Sequence, residues 1–193
     1  MQLMNQDYEV VLYYLYMLSD EELSLEEKEL FQGICSTLDS WNSSEDIISY
    51  CNWLYSKALD KVSSFSKIEG MQVAEKIFRC YDSNDFGSSF YKGHLIDIIW
   101  NLIELGKIDG KYSIFEKQIV EYLVSQWGIS EVIYKEVLDC ARNVDALENY
   151  KQWLVKSCDD ESFALNEMKK VDNQLKEITW MVKSLGNEFV ICA

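Results

Sequence analysis

Proline is absent from all 193 residues. Nothing in the chain removes a backbone donor or fixes a kink, so long helices are unobstructed and proline-stiffened linkers are excluded. Glycine is scarce, at eight residues, and none of it forms a phosphate-cradling loop or a dinucleotide fingerprint. Histidine occurs once, as His94, and there is no H-E-x-x-H or G-x-S-x-G, so the common metalloprotease and serine-hydrolase constellations are missing. The six cysteines (35, 51, 80, 140, 158 and 192) include no C-x-x-C pair. That excludes the usual zinc and dithiol spacings and reads as buried thiols in a reducing compartment. No apolar run approaches the roughly 20 residues that a bilayer-spanning helix needs. The opening MQLMNQDYEVVLYYLYMLSDEE has no basic leader and its apolar stretch stops at Asp20, so no signal peptide is expected and the chain reads as soluble and cytoplasmic.

Positive charge is also short: 18 Lys and Arg stand against 33 Asp and Glu, a net of -15. The imbalance is local. Residues 1–60 carry twelve acids and two lysines, 61–150 fourteen acids and ten bases, and 151–193 seven acids and six bases. Such a field repels nucleic acid and anionic membrane and attracts cations or a basic protein surface.

What the chain does have is helical periodicity. Apolar residues recur at three and four, as in Val11-Leu15-Leu18, Ile98-Leu102-Leu105 and Leu147-Tyr150-Leu154, which predicts an all-α fold. Helices are expected near 7–19, 24–38, 45–62, 67–81, 94–105, 113–127, 131–143, 145–156 and 163–185. Between them YDSNDFGSSFYKG reads as a long polar loop, and WGISE places Gly128 at a helix end with Ser130 capping the next helix. In the last helix Met168, Val171, Leu175, Ile178, Val182 and Leu185 form a heptad stripe, expected to pack on its own domain, with a homodimer seam or a partner-binding helix as the alternative. The domain division expected is 1–144 and a C-terminal helical extension, 145–193.

A shift of 89 residues lays SDEELSLEEKEL (19–30) over IDGKYSIFEKQI (108–119), aligning Asp20 with Asp109, Ser24 with Ser113, Glu27 with Glu116 and Lys28 with Lys117. Ser-x-x-Glu at a helix start is a capping box, worth on the order of 1 kcal/mol. An EF-hand is excluded: counting back from the glutamate puts Leu105 and Lys107 in one copy, and Tyr16 and Leu18 in the other, where the first two calcium ligands belong.

The pair of turns resembles the TerB-like family of tellurite-resistance proteins, all-α domains with an internal pseudo-two-fold duplication, each half carrying helix, Asp-Gly, Glu, helix. IDGKYSIFEKQIVEYLVSQWGIS (108–130) is similar to the family's second half; the first copy departs, with Glu21 in place of the glycine. The resemblance covers about 70 residues, near 8–40 and 95–133. It implies a non-enzymatic module of stress-response and membrane-associated assemblies and nominates Asp20, Glu27, Asp109 and Glu116 as metal contacts. An all-oxygen set favours Ca2+ or Mg2+.

For function these features give an acidic protein-interaction module in a bacterial stress or defence pathway, responsive to a divalent ion. The alternative is a cytoplasmic immunity protein that neutralises a basic toxin such as a nuclease, as half of a toxin-antitoxin pair; a carboxylate-dependent hydrolase ranks third. No catalytic residue is assigned, and His94 reads as a helix-start or packing residue. The expected protein-binding surface is Tyr13 and Tyr16 beside the acidic run, with Glu22, Glu26 and Glu29. Nucleic acid and direct membrane insertion are not expected.

Overall fold

The computed structural model of the chain describes residues 5–20, 24–37, 49, 88–108, 110 and 112–192. Among them every regular element is helical: α1 (Asn5–Met17) running into a single 3-10 turn (Leu18–Asp20), α2 (Leu25–Ser36), α3 (Ser88–Lys107), α4 (Ile114–Gln126), α5 (Glu131–Ser157) and α6 (Glu161–Cys192). The expected helices at 45–62 and 67–81 lie outside the described residues. No helix among the described residues is long and apolar enough to cross a membrane.

α3 is the axis of the fold, and α1, α2, α4, α5 and α6 all pack on it. Its sequence dictates this. Leu95, Ile96, Ile98, Ile99, Leu102, Ile103 and Leu105 are buried and cover about half of the helix circumference, while Asp97, Asn101, Glu104 and Lys107 form a half-buried polar side. The heptad stripe of α6 packs within the chain: Val171, Ile178, Val182 and Leu185 are buried, and α6 lies along α3 and α5. Cys35 and Cys140 are buried free thiols, and Cys158 is a half-buried one.

Three expected boundaries are corrected, and two share a cause. α3 begins at Ser88, inside the expected polar loop, and α6 runs past Leu185 to Cys192. In both places a glycine resembles a break. A Cβ on Gly186 would lie 2.8 Å from the Gly93 carbonyl oxygen, so the pair lets the α3 and α6 backbones touch. The third correction is α5, one helix of 27 residues with no interruption at Asn143–Asp145. No glycine or proline stands there, and the division expected after residue 144 falls within this helix. The turn before α5 is as expected: Gly128 has φ +67° and Ser130 accepts from the Ile133 N–H at 3.3 Å.

Candidate functional site

The two repeated turns adopt one geometry. Ser24 Oγ accepts from the Glu27 N–H at 3.0 Å while Glu27 Oε2 accepts from the Ser24 N–H at 2.7 Å; for Ser113 and Glu116 the same two bonds are 3.1 and 2.6 Å. Both glutamates are buried, at 3% and 4% exposure, with one carboxylate oxygen on the capping amide. Of the four expected metal contacts these two are placed. The side chains of Asp20 and Asp109 lie outside the described residues. Among the described residues no group of three or more His, Cys, Asp or Glu is arranged to hold a metal ion.

The two turns meet at Tyr16. The 3-10 turn after α1 packs on α4, and Tyr16, at 0% exposure, lies within the electrostatic reach of both capping carboxylates. Burial first, then Tyr112, Glu116, Tyr134 and Glu27, push its phenol well above the ordinary value. Burial likewise raises Tyr112, and takes Tyr134 up to about 12 with help from Glu121. The Tyr16 and Tyr112 hydroxyls are buried without a hydrogen-bond partner among the described residues. Gly106 makes room for both: a Cβ there would collide with Tyr16 Oη and sit 2.8 Å from the Tyr112 ring.

Tyr13 and Tyr16 are therefore corrected as surface contacts, because both are fully buried. Tyr13 donates to Glu9 Oε1 at 2.6 Å and accepts from Asn101 Nδ2 at 2.9 Å. The second oxygen of Glu9 is 2.6 Å from His94 Nε2, and His94 Nδ1 faces Asp97 at 3.6 Å. Burial pulls the imidazole down, but the hydrogen bonds to Asp97 and Glu9 and their charges outweigh it, and His94 is pushed up to about 10. An imidazolium held between two carboxylates pins α1 to α3. His94 is thus neither a helix-start residue, six positions into α3 as it is, nor a free base. Of the expected acidic surface, Glu26 and Glu29 are exposed on α2, and Glu22 lies outside the described residues.

A cleft of about 490 Å³ opens where α3 ends against the middle of α5. Its polar lining is Glu104 and Lys107 from α3, Tyr112 from the turn, and Asp145, Glu148, Asn149 and Gln152 from α5. Lys107 is already committed, paired with Asp145 and donating to the Ala141 carbonyl at 3.0 Å. Three carboxylates thus face one lysine. Burial, with the charges of Asp145 and Glu148, raises Glu104 to about 7 even though Lys107 opposes the shift. Sequence reasoning missed this site because its acids come from two helices forty residues apart. The only local signal was Asp145 and Glu148, three apart on one helical face. No protein-family model, curated protein or solved structure matches the chain.

Proposed function

We propose that this chain is a TerB-like, non-enzymatic helical module that takes a basic segment of a protein partner into the cleft between α3 and α5, in a bacterial stress or defence pathway. The observation that carries the reading is the cleft itself, a concave site with three carboxylates, Glu104, Asp145 and Glu148, of which only Asp145 is paired with the one lysine of the lining, Lys107. A lysine or arginine from a partner balances Glu104 and Glu148 and favours the ionised form of Glu104. The matching capping boxes support a pseudo-two-fold duplication of the TerB-like kind, with the turns as the place where Ca2+ or Mg2+ acts. Two groups that catalysis could use are committed elsewhere: His94 is held between Glu9 and Asp97, and burial raises the Cys35 thiol, with Glu9 adding to it.

The immunity-protein reading has its own observation, the exposed Glu26 and Glu29 in the strongly acidic first third. One experiment separates the two. The partner is captured from the host, and its binding is timed at low and high salt against three variants. With the cleft neutralised as Glu104→Gln with Glu148→Gln, affinity falls at least about tenfold under the main reading. Reversal of Glu22, Glu26 and Glu29 to Lys slows association most under the immunity reading. Reversal of Glu121, Glu131 and Glu136 does neither. Unchanged binding in the cleft variant removes the main reading.

A further inference from the structure

Where α3 ends against the α5–α6 hairpin, the lining of the cleft is out of charge balance. Glu104 and Lys107 come from the last turn of α3, and Asp145 and Glu148 from one side of α5. Lys107 is committed to Asp145 and to the Ala141 carbonyl. Among the described residues no other cation lines the cleft, and neither Glu104 nor Glu148 is in an ion pair.

The three carboxylates do not share the strain equally. Asp145 and Glu148 are exposed, whereas Glu104 is half-buried. It also lies in the turn of α3 where the last helix carbonyls gather partial negative charge. Ionisation therefore costs most at Glu104, and a proton there is the remedy that the chain itself supplies. Burial raises this carboxyl to about 7; Lys107 pulls the other way, and Asp145 and Glu148 add to the rise. The groups that face it are Lys107 on its own helix, Tyr112 from the turn before α4, and Asp145 and Glu148 on α5. Among the described residues α1, α2, α4 and α6 bring no charged group to the lining. Tyr112 is raised and stays neutral near pH 7, and His94, pushed up to about 10, stays an imidazolium.

We propose that the cleft binds by exchange: the lysine or arginine of the partner takes the place of a proton on Glu104, so the partner is held above neutral pH and released below it. This regulation rests on the reading of the cleft as the seat of a basic partner segment. The Glu104 O–H is the one bond that breaks, and its proton passes to water as the cation enters. One positive charge arrives and one leaves, so the cleft has the same net charge before and after loading. Protons and partner then compete for a single carboxylate, and the partner's affinity follows the ionised fraction of Glu104.

The test uses the full chain with the peptide acetyl-Gly-Lys-Gly-amide as probe, whose one charge is constant between about pH 6 and 8. Carbon-detected NMR of the glutamate-labelled chain follows the Glu104 carboxyl, and the shifts of the cleft residues give Kd. The peptide is expected to bind about tenfold more weakly at pH 6 than at pH 8, and at saturation to lower the Glu104 titration midpoint by about one pH unit or more. Glu104→Gln, the neutral isostere, is expected to bind weakly and equally at both pH values. Glu148→Gln, at an exposed position, is expected to bind more weakly but to keep the pH dependence. The wild-type midpoint decides the question without either variant. Binding in the cleft with one Kd at both pH values and an unmoved midpoint overturns the exchange and leaves the cleft reading standing. So does a pH dependence that Glu104→Gln retains. A peptide that shifts no cleft residue at either pH removes the cleft reading, and the exchange with it.

Discussion

His94 shows how one residue sets a pH response for the whole chain. Its folded pKa of about 10 stands above the ordinary 6.5, so the folded state binds the proton more tightly. The stability it lends is fully present below about pH 6.5 and is lost as pH rises through about 10. Glu104 acts in the same sense over a lower window: raised from 4.5 to about 7, it favours the fold most below 4.5 and progressively less towards 7. Urea unfolding between pH 6 and 10 is expected to show the midpoint falling in the wild type and a flatter profile in His94→Gln. That variant starts from a lower midpoint, because Glu9 stays buried without its cation, at a cost on the order of 1–3 kcal/mol. Half of this network was legible. Glu9 and Tyr13 are four apart, one helical turn, whereas His94 and Asn101 lie 85 and 88 residues from their partners, a distance that no local pattern spans.

At the scale of the element, the capping boxes were the most readable feature, because a cap is made by residues three apart and owes nothing to the rest of the fold. Ser24→Ala and Ser113→Ala are each expected to cost about 1 kcal/mol in denaturant unfolding. The two losses are not expected to add. Both capping carboxylates act on the Tyr16 hydroxyl, so a double-mutant cycle should show a coupling above about 0.5 kcal/mol; strict additivity would mean the turns are energetically separate. Helix ends were less readable where glycine served packing. Gly93 and Gly186 carry the signal of a boundary, yet each sits inside a helix, and at Gly186 the Gly93 backbone takes the place of the Cβ. The tyrosines of α1 misled for a related reason: a phenol looks amphipathic in sequence, and only the packing of α3 and α4 decides whether its oxygen meets water.

Across the whole molecule, the two capping-box turns both act on Tyr16, and an ion at that junction would act on both. If the repeated turns take up Ca2+ or Mg2+, millimolar amounts should raise the melting temperature and Asp109→Asn should cancel the rise. An equal rise in the variant, or with sodium chloride at matched ionic strength, would leave Glu27 and Glu116 as caps alone. The all-helical class was legible from periodicity and from the lack of proline. The cleft was not, because its acids converge only after α3 has met α5.

The contact between Gly93 and Gly186 also decides where this chain can change length. A residue inserted in the 158–160 turn is absorbed at a free apex and leaves both glycines in phase. A residue inserted between Val171 and Leu185 turns the rest of α6 by about 100° and brings a side chain against the Gly93 carbonyl. The hairpin can therefore grow outward from its tip, but its root admits no insertion, and any lineage of such chains should vary in reach while keeping the spacing below Val171 fixed.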